Sequence, residues 1–118
     1  MSELTDRLHL EEMIEAARNI AHDTAGFDLE MFKRISTHRD AVAMNLIVLG
    51  EGAARLSLEL KQQAPDVPWG DMAGVRNRLA HGYARTDPGV IFDAATVFLP
   101  LIVPELRRLL TLLPPEQD

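Results

Sequence analysis

The chain has 118 residues, 47% of them hydrophobic, which suits one domain with a real core and is too short for two of ordinary size. It has no cysteine, which excludes a disulfide framework, a thiol nucleophile and a thiolate metal site. Its net charge of −6, from 12 basic and 18 acidic residues, argues against broad non-specific nucleic-acid binding, which phosphate neutralisation drives.

Read in chain order, the first expected helix runs from about Leu4 to Thr24. Leu10, Met13, Ala17, Ile20 and Thr24 step by threes and fours and share one face. The acidic start Met1-Ser2-Glu3 has no apolar region behind it, so no signal peptide is expected. Gly26 breaks the pattern. Asp28 is placed to cap a short helix carrying Leu29, Phe32 and Ile35.

The third expected helix spans about Thr37 to Gln63. Val42, Leu46, Leu49, Ala53, Leu56 and Leu60 form a heptad-like seam. Ala41, Met44, Ile47, Val48 and Ala54 widen the apolar surface past one seam, so this helix needs more than one neighbour, within the bundle or from a second copy. Glu51 and Arg55, four apart, are expected to pair. The sharper alternative is that Glu51 reaches Arg76 and positions it.

Asp66-Val67-Pro68-Trp69 reads as a break and a restart, with Pro68 near the first turn and Trp69 as a packing anchor. The helix that follows runs to about His81, and Gly82 suits its end. Asp87-Pro88 reads as an N-cap with proline at the first helical position. The last helix carries Ile91, Ala95, Phe98, Leu106 and Leu109. Pro100 and Pro104 inside it are expected to kink or split it. Residues 113–118, beginning Leu113-Pro114-Pro115, read as a helix stop and a flexible tail. No run alternates like a strand. The expected fold is all-α, one domain over residues 1–112, as an up-and-down bundle of four or five helices. The apolar runs fall short of the roughly 20 residues that span a membrane. Cytoplasmic location is the expectation, with no contact to membrane or DNA.

The densest chemistry lies in Arg76-Asn77-Arg78-Leu79-Ala80-His81-Gly82-Tyr83. An arginine holds a phosphate by charge and bidentate hydrogen bonds. A histidine exchanges a proton near neutral pH, since free imidazole titrates at about 6.5. Arg76, Arg78 and Arg85 fall in ten residues without an acid, so positive charge coincides with the reactive segment and Arg78 and Arg85 are candidate RNA contacts. Asn77 and His81 are four apart and share a helix face, which lets Asn77 orient the imidazole. Arg76 and His81 are five apart, about 140° around an ideal helix, so one copy splays them and a shared cleft between two copies joins them better. The plainer alternatives are an arginine in solvent, a histidine capping the last carbonyls and a tyrosine at the core edge. His9, His22 and His38 have no spacing suited to a metal and read as structural.

Read as a whole, residues 4–112 resemble the HepT-like branch of the HEPN (higher eukaryotes and prokaryotes nucleotide-binding) superfamily. The signature is arginine, four residues, histidine, one residue, tyrosine, and Arg76, His81 and Tyr83 fit it without gaps. Asn77 matches the polar residue that follows the arginine. Ala41-Val42 through Leu49-Gly50-Glu51, Pro68-Trp69, Asp87 and Pro100 match the flanks. The departures are Gly52, where alanine is commoner, and Phe92, where tryptophan is. A glycine at that point weakens the helix by roughly 0.5–1 kcal/mol and also permits close helix contact.

The resemblance implies a homodimer with both motifs facing one cleft. It implies a toxin of a type II toxin–antitoxin system that cleaves RNA without a metal or cofactor, with Arg76 and His81 catalytic and Asn77 and Tyr83 supporting. It implies a minimal nucleotidyltransferase antitoxin that attaches AMP to Tyr83. The alternatives from other classes are a non-catalytic nucleotide-binding or adaptor subunit of a nucleotidyltransferase complex, and a structural dimerisation bundle.

Overall fold

The computed structural model describes residues 2–115, with side chains from residue 5. Helix α1 spans Ser2–Thr24 and buries Leu10, Met13, Ile14, Ala17 and Ile20 along one face. Gly26 turns the chain away with φ of 76°, in the left-handed region that glycine enters without steric cost. Asp28 then accepts a hydrogen bond from Met31 N–H at 2.8 Å and starts α2, Leu29–Arg34, which buries Phe32. Arg39 closes the far end of α2 through the carbonyls of Phe32 and Lys33.

Helix α3 covers Ser36–Arg55, eight residues short of the expected end at Gln63. The seam itself is core: Val42, Leu46, Leu49, Ala53, Leu56 and Leu60 are all buried. What stops the helix is a clamp from α1. Leu56 turns extended, and Ser57 N–H and Oγ both donate to the buried Asp6 carboxylate, at 2.9 and 2.6 Å. Ser57 Oγ also accepts Leu60 N–H at 3.2 Å and caps α4, Leu58–Lys61. The apolar spacing therefore continues across a break that a serine and a distant aspartate create.

Trp69 anchors the loop by donating its indole N–H to Ala64 O at 3.1 Å. Helix α5 follows over Trp69–Gly82 and buries only Leu79 completely. A 3₁₀ turn, Tyr83–Arg85, leads to α6, Pro88–Asp93, where Asp87 accepts Gly89 N–H at 2.8 Å as the N-cap. A π turn, Ala94–Phe98, joins α6 to α7, Leu99–Thr111. Of the two outcomes expected at the prolines, a kink or a split, the split does not occur, and regular α-helix instead gives way to the π turn just before Pro100. The wide π turn just before Pro100 accommodates the amide hydrogen that proline lacks, and residues 88–111 stay one continuous helix of 24 residues. In length and composition that helix could cross a bilayer, against the reading of short apolar runs; here Ile91, Ala95, Leu99, Ile102, Leu106 and Leu109 pack into the bundle. Pro114 and Pro115 are non-helical, and the tail beyond them lies outside the described residues.

Among the described residues there is no strand, and the all-α expectation holds. The centre of the fold is α3, flanked by α1 and α5, with α7 on α1. Met13 lies at Gly52 and Asp6 at Ser57, so α1 and α3 run antiparallel. Tyr83 lies at Asp40 and Arg76 at Gly50, so α3 and α5 do too. Arg7 ties the ends together by donating to Pro114 O at 2.8 Å and Leu113 O at 3.3 Å.

Removing the carboxylate in Asp6→Ala strands two donors at the α3–α4 break. The expected loss is about 1–3 kcal/mol in urea unfolding, with a smaller loss for Ser57→Ala, which removes only the hydroxyl. An Asp6→Ala protein that unfolds at the wild-type midpoint would show that this clamp does not hold the break.

Candidate functional site

The reactive segment occupies the second half of α5 and the turn after it. Its members do not converge in one copy. Arg76 is drawn to α3, where Nη1 donates to Glu51 Oε2 at 2.8 Å. The other carboxylate oxygen, Oε1, accepts Arg55 Nε at 2.7 Å. Both sequence readings of Glu51 therefore hold together: it pairs with Arg55 and it reaches Arg76. The hydrogen bond from Arg55, then the charges of Arg55, Arg76 and His9, hold the Glu51 carboxyl below the usual carboxylate range, so it is ionised at neutral pH. Arg76 keeps 30% of its side chain exposed, while its Nε is buried without an acceptor.

Two glycines set this level of the bundle. A Cβ at Gly50 would meet Arg76 Cβ and lie 2.6 Å from Met72 O; a Cβ at Gly52 would meet Cγ and Sδ of Met13. The close helix contact expected at this triplet is present on both sides of α3. Sequence reasoning attached it to Gly52 without naming a partner helix, and missed that Gly50 lies against the arginine itself.

His81 is exposed, and its imidazole has no hydrogen-bond partner among the described residues. The expected Asn77 contact is absent: Asn77 is also exposed, and its side chain hydrogen-bonds to none of the described residues. An i, i+4 spacing permits such a pair, but two solvated side chains gain little from making it. Arg78 points to solvent. Arg85 folds back and donates to His81 O at 3.2 Å, so it caps the end of α5 in this conformation.

Tyr83 leaves the α5 axis because the α-helix stops at Gly82. Its hydroxyl donates a hydrogen bond to Asp40 Oδ1 on α3. Asp40 and Glu51 are eleven residues apart on one helix, roughly 16 Å along its axis. The tyrosine and the arginine are thus pinned at two separate points of the α3–α5 contact, with His81 between them in sequence. Asp40 was not singled out from sequence, and no local pattern ties it to Tyr83. Burial first, then the hydrogen bond and charge of Asp40, push the phenol above its ordinary value, with Arg39 opposing.

Two grooves flank this arrangement. One of about 540 Å³ lies between α1 and α3 and takes in His9, Glu12, Asn19, Asn45, Glu51 and Arg55 beside Ile47 and Val48. An apolar one of about 500 Å³ lies between α5 and the last helix, over Leu46, Leu49, Met72, Val75, Phe98 and Ile102. The other histidines lie away from α5. His38 Nδ1 lies 3.1 Å from Asp23 O with its ring against Phe27, and His9 and His22 lie beside Glu12 and Asp23.

A family model described as ribonuclease HepT-like matches residues 10–110, which includes all of α5 and its partners on α3. The chain belongs to the ribonuclease HepT-like family. Several relatives match along nearly their whole length. "Putative RNase MJ1380" of Methanocaldococcus jannaschii is 27% identical over 107 residues, covering 91% of this chain and 98% of the relative. "Putative RNase TTE0752" of Caldanaerobacter subterraneus subsp. tengcongensis is 24% identical, covering 90% and 95%. "Probable ribonuclease HepT" of Thermococcus cleftensis is 27% identical over 101 residues, covering 86% and 92%. No solved structure matches the chain.

Tyr83 is the only tyrosine, so tyrosinate absorbance reads it alone. Its midpoint is expected above the ordinary value of about 10, and Asp40→Asn is expected to bring it down. The sign for stability follows: the raised folded pKa gives a contribution complete below the unfolded value and lost as pH rises through the folded one. A wild-type midpoint at the free-tyrosine value would remove the Asp40 contact.

Proposed function

We propose that this HepT-like protein is an endoribonuclease, the toxin of a type II toxin–antitoxin system. The carrying observation is on α5: Arg76 is oriented by a carboxylate with part of its fork in solvent, and His81 five residues on is exposed, its imidazole hydrogen-bonded to none of the described residues. The RNA 2′-hydroxyl attacks the adjacent phosphorus, with His81 moving the proton as general base or acid. Arg76 stabilises the charge that builds on the phosphoryl oxygens. The products are a 2′,3′-cyclic phosphate and a 5′-hydroxyl, with no metal required. The names carried by the relatives support RNA as the substrate.

The working form in this reading is a homodimer. The splay of Arg76 and His81 around α5 is bridged by pairing two copies across a cleft. The free flank of α3 supports this, since Met44 is 60% exposed and Ile47 and Val48 are only half-buried. A minimal nucleotidyltransferase is the antitoxin in this reading. It transfers AMP from ATP to the Tyr83 oxygen and releases pyrophosphate. That transfer replaces the phenolic proton now donated to Asp40, so modification breaks the tie between the end of α5 and α3.

The test is RNA cleavage by purified protein in excess chelator, alongside growth after induction without a partner gene. Alanine at His81 is expected to lower the cleavage rate on the order of 10²–10⁴-fold, and at Arg76 on the order of 10²–10³-fold, with growth restored in both. Intact RNA and normal growth with soluble wild type would instead favour a nucleotide-binding subunit of a nucleotidyltransferase complex. Alanine variants that alter stability alone would leave a structural dimerisation bundle.

A further inference from the structure

We propose that Gly50 and Glu51 together position Arg76, one fixing its backbone and the other its guanidinium, and that Arg55 keeps the resulting group cationic. The inference rests on the ribonuclease reading for its substrate, a phosphodiester of RNA.

An arginine side chain has many rotamers, and a phosphate site gains from having them fixed in advance. At Gly50 the missing side chain lets α3 press against the root of Arg76, since a Cβ there would collide with Arg76 Cβ and Met72 O. At the next residue, Glu51 takes Nη1 of the same side chain at 2.8 Å. Two adjacent residues on α3 thus hold both ends of one arginine on α5. Nε faces inward and is buried. Nη2 makes no hydrogen bond among the described residues and is not buried, so it is the donor turned to a ligand.

A lone Glu51–Arg76 pair would be neutral and its carboxylate would repel a phosphate. Arg55 changes that sum. It occupies Oε1 at 2.7 Å with 62% of its own side chain exposed, so two cations share one anion and the trio carries +1. Each carboxylate oxygen has its own arginine, which leaves neither free to face the substrate. The pairing is exposed enough that simple Coulomb stabilisation is small, so its value lies in geometry.

The test is steady-state cleavage of a short RNA by full-length wild type, Glu51→Gln, Arg55→Ala and Gly50→Ala, with a double cycle on Arg76→Lys. Glu51→Gln is expected to lower kcat on the order of 10- to 100-fold with little change in melting temperature. In the Arg76→Lys background the same change is expected to add almost nothing. Arg55→Ala is expected to raise KM several-fold and leave most of kcat. Gly50→Ala is expected to lower kcat, but it also risks the fold, so Glu51 carries the decision. Glu51→Gln as active as wild type, or costing as much with lysine at position 76, would overturn the proposal. A wild type that cleaves no RNA would sink the ribonuclease reading separately. Positioning is then read from hydrogen exchange at the Arg76 Nε–H: faster exchange in Glu51→Gln supports it, and an unchanged rate overturns it.

Discussion

The close approach of three helices at Gly50 and Gly52 is the constraint on which the site rests. These residues sit on opposite sides of α3, one against α5 and one against α1. Each glycine costs a helix roughly 0.5–1 kcal/mol relative to alanine. The return is backbone approach that no larger residue allows, with many small dispersion contacts formed in a buried interface. Glu51 stands between the two glycines. It is therefore carried to the one level where α5 is near enough for a carboxylate to reach Arg76.

Polar contacts distant in sequence decide where the helices stop. Asp6 ends α3 through Ser57, Arg39 closes α2, and Arg7 reaches the last carbonyls after α7. Each satisfies backbone or hydroxyl groups that a helix end leaves open, and buried groups of this kind are costly when unpaired. These ties matter to function because α5 packs mainly on α3. A fixed α3 sets the height of Arg76 and, through Asp40, the height of Tyr83.

The electrostatics are local. The chain is acidic overall, yet Arg76, Arg78 and Arg85 lie in a stretch without acids, and Arg55 joins Arg76 at Glu51. Such a surface attracts a phosphate at one place and repels a long polyanion elsewhere, which favours a confined contact over a non-specific coat. The phenol of Tyr83 belongs to a different neighbourhood, shared with an aspartate and held in its neutral form. Arginine and tyrosine, read in sequence as one motif, are anchored at two separate points of a single helix–helix contact.

Periodicity alone determined that the chain is helical, which residues form the core seam, and where α1, α2, α5 and α6 start or stop. Those properties arise from contacts within a few residues: Asp28 and Asp87 as caps, Gly26 as a turn, Leu10 to Ile20 as one face. The reactive residue types and their spacing were equally legible. The end of α3 was not, because Leu56 and Leu60 keep the apolar rhythm while Asp6, fifty-one residues before Ser57, breaks the helix. The proline-rich helix carries a π turn just before Pro100 in place of a split, and periodicity carries no sign of that turn. The pairing of Asn77 with His81 was permitted by spacing and refused by solvent exposure. Glu51 with Arg76, and Asp40 with Tyr83, depend on the antiparallel register of α3 and α5. That register brings Gly50 against the root of Arg76 and Met72 O, and only the tertiary structure decides it.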